Sequence, residues 1–215
     1  MQIIARGAEA ILYVSQYEGQ KVLVKERIPK NYRLKQIDEK IRKQRTRKEV
    51  RLLSEARKVG VLTPKVLSVD EAAGKIVMEF VDGEQVKEVL NNEKNLVDMK
   101  KIKKICVMIG EDVGKLHAAE IVHGDLTTSN MLLREGEMYF IDFGLGNFSR
   151  RIEDYGEDIN LLHKAIESTH FKILKACWQN IVKGYRAKYK DADKVLSKMQ
   201  EIEKRARYVE RTKQV

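Results

Sequence analysis

Alternation of apolar and polar residues dominates the first part of the chain. "EAILYVSQ" (9–16) and "KVLVKERI" (21–28) are β-rich and flank "YEGQ", predicting a hairpin, with Gly7 between two such runs. The spacing then changes. Ile37, Ile41, Val50, Leu52, Leu53 and Ala56 fall at helical intervals inside a basic stretch that Gly60 ends, close to Thr63-Pro64. "KVLSVD" and "KIVMEFV" predict a second hairpin around Ala73-Gly74. The first 80 or so residues therefore read as a small sheet with one main helix.

The rest reads as mostly helical. From Lys100 to Ala119, apolar residues at 102, 105, 106, 109, 113 and 116 share one helical face. "MLLRE" and "EMYFID" form short strands around Gly136, and "DINLLHKAI" and "FKILKACWQNIVKGY" return to helical spacing. Phe171 and Trp178 are expected in the core. His117 is expected to pack, while His163 and His170 carry no signal. From Lys204 on, the pattern predicts a helix end and a mobile basic tail. The class is α+β, with lobes at 1–82 and 83–215 meeting at a short hinge, Val81-Asp82-Gly83.

With 215 residues, 43% of them hydrophobic, the chain suits one domain or two small lobes sharing a cleft. Charged residues make up 34%, a composition that fits a heat-adapted source. No apolar run reaches the roughly 18 residues of a membrane span, and the N-terminus lacks the order of a secretory signal. Cys106 and Cys177 lie in helical patterns without metal-ligand spacing and read as buried thiols of a reducing cytoplasm.

Net charge is +10, unevenly placed. Lys25 to Arg51 holds 12 basic and 4 acidic residues; Lys183 to Val215 holds 11 and 5. Such regions fit an RNA or an acidic protein surface, and equally fit solvated helical faces.

Candidate chemistry gathers at three places. Lys25 on its strand is unremarkable alone, but a Glu from the following helix can fix it. Glu49 is preferred over Glu55 because it precedes the apolar positions that face the sheet. A Lys so held can grip nucleotide phosphates. In "HGDLTTSN" (123–130), Asp125 can accept a proton or orient a water. Asn130 and the Asp142 of "IDFG" (141–144) offer oxygens to a hard cation. Each could be only a turn or strand-end residue. Together they are not, since "YFIDFG" would end on an unpaired buried carboxylate.

Lys25, Glu49, "MEFV" (78–81), "HGDLTTSN" and "DFG" stand in the order and spacing of the protein-kinase fold, with His-Gly-Asp for the usual His-Arg-Asp. "RGAEA", "RTRKEVRLLSEARKVGVLTPKV" and "GDLTTSNM" resemble the small atypical kinase of the KEOPS complex over nearly the whole chain. The resemblance implies a minimal bilobal kinase-like fold and Mg-ATP chemistry of the serine/threonine-kinase type, acting mainly as an ATPase. It implies a role in threonylcarbamoyl modification of tRNA, beside a metalloprotein-type KEOPS partner that performs the transfer. By the same resemblance Gly7, Ala8, Glu9 and Ala10 form the nucleotide loop, and Lys25 grips phosphate with Glu49 as its partner. Glu79 and Val81 form the adenine hinge and Met78 guards the pocket's back. Asp125 is catalytic, Asn130 and Asp142 bind magnesium, and the basic tail reaches across the cleft towards the partner.

Two departures matter. The loop has one glycine, so side chains such as Glu9 stand in for lost backbone cradling, and a helix competes for "RGAEAILY". After "DFG" no Ala-Pro-Glu follows; "EDYGEDINLL" arrives almost at once, so the activation segment is short and the peptide platform missing. Asp158 reads either as a brace for the catalytic loop or as a helix N-terminal charge. A free RIO-like kinase of ribosome maturation is the alternative function; a non-catalytic scaffold fits less well with the four retained residues.

Overall fold

The computed structural model describes residues 2–92 and 98–212, with side chains through Ala206. Strands β1 (Gln2–Arg6), β2 (Ala10–Tyr17), β3 (Gln20–Arg27), β4 (Val66–Asp70) and β5 (Lys75–Glu79) build an antiparallel sheet of order β1-β2-β3-β5-β4. Glu18 and Gly19, at φ of 50° and 76°, close the β2–β3 hairpin, whose last pair is Tyr17 with Gln20. Two left-handed residues match the twist of the flanking strands. "RGAEA" is strand, turn and strand, with the Gly7 amide donating to the Ala10 carbonyl, so the competing helix does not form.

Helix α1 (Lys35–Lys58) lies against this sheet. It ends as Gly60, at φ of 78°, lets the Val61 amide reach back to the Ala56 carbonyl at 3.0 Å. That Schellman closure satisfies end carbonyls and drops Val61, fully buried, beneath the helix. Leu52, Leu53 and Ala56 form the buried stripe; Glu49, also buried, interrupts it with a charge.

The helical lobe holds α2 (Val86–Asn91), α3 (Met99–Ala118), α4 (Ile152–Thr169), α5 (Leu174–Lys188) and α6 (Ala192–Thr212). Asp98 caps α3 by accepting from the Lys100 and Lys101 amides, both at 3.1 Å. Helices α3 and α5 touch backbone to backbone. A Cβ on Gly110 would stand 2.0 Å from the Ile181 carbonyl oxygen, and one on Gly184 2.2 Å from that of Val107. No side chain fits at either point. Strands β6 (Glu84–Gln85), β8 (Met131–Arg134) and β9 (Glu137–Phe140) form a second small sheet, while β7 (Ile121–Val122) pairs with β10 (Asn147–Phe148).

Neither β6 nor α2 is evident in the sequence pattern. Two expectations are corrected. Phe171 is 69% exposed, because it lies in the short 3-10 turn ahead of α5 rather than on the helix's inner face; Trp178 is partly buried against His163. The last helix does not stop near Lys204 but runs to Thr212, and ion pairs from Lys198 and Arg205 to Glu153 tie it to α4. The final residues 213–215 lie outside the described ones, as do the side chains of 207–212. Cys106 and Cys177 are free and buried. No described helix is long and apolar enough to cross a membrane.

Candidate active site

Lys25 and Val24 point to opposite faces of β3, and both are buried. The Lys25 ammonium donates to Glu49 Oε1 at 2.7 Å and to Asp142 Oδ1 at 2.6 Å. Glu49, not Glu55, is thus its helix partner; Glu55 pairs outward with Lys58. Burial pushes the Lys25 ammonium down, but the two carboxylates outweigh it and hold its pKa above the usual value. Asp142 is not the buried carboxylate expected from the sequence, since its side chain is 44% exposed to the cleft. Partial desolvation there raises it, and Lys25 outweighs that, so the Asp142 carboxyl titrates below its usual range and is ionised at neutral pH.

Residues 123–130 form a turn held from beneath. Asp158 of α4, buried, accepts the backbone amides of His123 at 2.7 Å and Gly124 at 2.9 Å. It therefore braces this turn, seven residues into α4, and is not a helix N-terminal charge. Burial raises the Asp158 carboxyl, but contacts from His117 and His123 leave it below the usual range. His117 packs between Asp158 and the Tyr185 hydroxyl, and stacks on Tyr155. His123 bonds through Nε2 to the Ile141 carbonyl at 3.1 Å and packs on Phe143. Its role is to join the two motifs.

Gly124 accounts for the Gly of "HGD". Its φ is 79°, and a Cβ there would meet the Leu145 carbonyl oxygen at 2.5 Å. The stretch after "DFG" runs so close that only glycine fits. Residues 145–151 alone separate "DFG" from α4, and β10 spends two of them pairing with β7.

Asn130 closes the turn by donating to Asp125 Oδ2 at 2.8 Å and to the Asp125 carbonyl at 2.9 Å. With its nitrogen so committed, the Asn130 amide oxygen is left for another partner. Asp142 sits at φ of 60°, a left-handed strain of the kind found at working sites, and turns its carboxylate to Lys25 and the Gly144 amide. Asn130 and Asp142 line one cavity. A carboxylate and an amide oxygen are the donors a hard divalent cation takes, so these residues fit magnesium.

That cavity, of about 390 Å³, runs from Ile4, Leu12 and Leu23 above to Leu132 and Ile141 below, with Glu79 and Val81 at its rim and Lys25 and Glu49 inside. Met78 is buried opposite Leu23 on β5. A second cavity adjoins it, lined by Gly7, Ala8, Glu9, Ala10, Lys25, Arg27, Asp125 and Asp142. The site residues singled out from the sequence thus line these two adjoining cavities, except Met78, which lies buried in the sheet behind them. Glu9 faces this second cavity, and its carboxylate is also engaged by Arg45 and lies 3.7 Å from Arg27. A larger hollow lies on the other side of Gly124 and Leu145, among Arg151, Asp154 and Lys164, away from Lys25 and Asp142.

Two residues near the site escaped the sequence reading. Arg27 shares Glu49 with Lys25, and strand alternation, two positions on, is the signal that would have found it. His170 is the other. It bonds the Thr128 hydroxyl at 2.9 Å and the Asn91 amide oxygen at 2.7 Å, tying the 123–130 turn to α2; no local pattern announces contacts so distant in sequence. Burial first, and Lys87 second, push its pKa down from 6.5 to about 4. A His depressed on folding contributes stability that is complete above its unfolded pKa and lost as pH falls from there towards its folded one. The protein should lose roughly 3 kcal/mol to this group between pH 6.5 and 4. Urea unfolding of wild type and His170→Gln across that interval checks it: the variant's curve should be flatter, and parallel curves would remove His170 from the account.

A family model described as the RIO domain matches residues 12–145, and the chain belongs to the RIO-domain family, whose fold is kinase-like. Within it, the chain is 46% identical to the KEOPS complex subunit Bud32 of Pyrococcus abyssi, over 99% of this chain and 98% of that one. It is also 44% identical over 97% of its length to a probable bifunctional tRNA threonylcarbamoyladenosine biosynthesis protein of Methanothermobacter thermautotrophicus, and 38% identical to one of Methanocaldococcus jannaschii. This chain spans 37% of each of those two longer proteins.

Proposed function

We propose that this protein is a Mg-ATP-dependent phosphotransferase of the serine/threonine-kinase type that works mainly as an ATPase, within a KEOPS complex supporting threonylcarbamoyl modification of tRNA. The observation that carries the chemistry is the convergence of Lys25, Glu49, Asp142, Asn130 and Asp125 on one cleft. In this reading adenine lies against the Glu79–Val81 backbone, with Met78 behind it, and the phosphates extend towards Lys25 and the 7–10 loop. Asn130 and Asp142 would hold magnesium, which when bound would supply charge to offset that of the phosphates. Asp125 takes the proton of the attacking water or hydroxyl. The lobes part near Val81–Gly83.

The brevity of residues 145–151 favours hydrolysis over peptide transfer, because little chain remains to hold a peptide against Asp125. The relatives' names support the KEOPS setting; in this reading the partner is a metalloprotein-type subunit of that complex. The RIO-domain match itself keeps a second reading in view, a free kinase acting on a protein hydroxyl. One comparison separates them: ATP hydrolysis with and without the partner, beside transfer to a panel of peptides. Partner-stimulated hydrolysis with weak labelling is expected, and truncation after Arg205 should reduce that stimulation as well as tRNA binding. Fast, sequence-selective peptide phosphorylation by the lone chain would favour the free kinase.

A further inference from the structure

Arg27 is the least explained charge in the cleft. Its side chain is 4% exposed, yet no carboxylate belongs to it alone. Nη2 donates to Glu49 Oε2 at 2.5 Å, while Oε1 of the same carboxylate serves Lys25. Nη1 lies 3.7 Å from Glu9, which Arg45 already engages. Nε is buried with no hydrogen-bond partner, a costly omission for a guanidinium. Arg27 also lines the cavity that holds Asp125, Asp142 and the 7–10 loop. One point marks the convergence: a Cβ built on Gly144 would lie 2.9 Å from Asp142 Oδ1, 3.3 Å from Lys25 Nζ and 3.6 Å from Arg27 Nη2.

The charges sharpen this. Lys25 now shares Asp142 and Glu49. A divalent cation on Asp142 would draw that carboxylate away from Lys25. Two cations would then share Glu49 alone, leaving net positive charge towards the cavity. An anion is the partner that completes such a site, and a guanidinium offers phosphate oxygens a planar fork that an ammonium cannot.

We propose that Arg27 is a second phosphate-binding cation of this cleft, contacting the outer phosphates of the nucleotide while Glu49 holds it in register with Lys25. The inference rests on the nucleotide reading above. Arg27→Lys sets this role apart from a mere strut for Glu49: it keeps a cation beside that carboxylate, so a strut would be restored on ATP, whereas a phosphate-binding fork would not.

Calorimetric titration of wild type, Arg27→Gln and Arg27→Lys with ATP and with adenosine tests it. Arg27→Gln should weaken ATP about tenfold or more and leave adenosine within about twofold. Arg27→Lys, which keeps the charge without the fork, should fall between the two on ATP and match wild type on adenosine. Should the Gln variant not fold, the Lys variant decides, with a loss of about threefold or more confined to ATP expected. Equal losses on ATP and adenosine, or ATP affinity unchanged in either folded variant, overturn the proposal. Wild type that binds adenosine but not ATP, or neither, defeats the nucleotide reading itself.

Discussion

Asp142→Ala should abolish the magnesium dependence of nucleotide binding. Asp142 is ionised at neutral pH, held so by Lys25 against partial desolvation in the cleft, and it shares one cavity with Asn130. Without it the cation keeps one neutral ligand, too little to displace its own water. The variant also releases Lys25, whose ammonium now gives a 2.6 Å bond to Asp142. Metal-free ATP should therefore bind the variant at least as well as wild type, since the ammonium, still paired with Glu49, no longer has Asp142 competing with phosphate. Calorimetric titration of ATP with and without magnesium measures both effects. Wild type should gain affinity on adding the metal and the variant should gain none. A variant that still gained would place the metal elsewhere.

Asp125→Ala should separate binding from chemistry. The Asp125 side chain accepts from Asn130 and lines the cavity with the 7–10 loop, beyond the apolar pocket of Glu79 and Val81. It can reach an attacking water without carrying the adenine. Its loss should leave ATP affinity within a few-fold and cut turnover by about a hundredfold or more, the usual scale for removing a positioned base. Asn130 loses one of two bonds to residue 125 but keeps the backbone carbonyl at 2.9 Å, so the turn should persist. Asp125→Asn guards against a merely structural effect: it preserves the shape and removes the basicity. Turnover restored by Asn would make the residue a strut.

Much of this was legible in the sequence because the signals were local. Both hairpins were marked by turn glycines, and Gly19 and Gly74 do adopt φ of 76° and 73°. The choice of Glu49 over Glu55 followed from helical spacing against the apolar stripe. The remainder depended on contacts between distant segments. Asp158 read equally well as a brace or a helix charge until its bonds to the His123 and Gly124 amides were visible. The glycines at 110 and 184 gave no sign that α3 and α5 meet backbone to backbone there. Phe171 misled because helical spacing was extended one turn too far, into a 3-10 segment whose ring faces solvent. Nor does any local pattern announce the contact of Glu9 with Arg45, a residue 36 positions away.

Phosphate release from ATP, followed for wild type, Asp125→Ala and Asp142→Ala side by side with the KEOPS partner present, tests the central claim most directly. Magnesium-dependent release by wild type and a loss of about a hundredfold or more in each variant are expected. Release unchanged in both variants would contradict it.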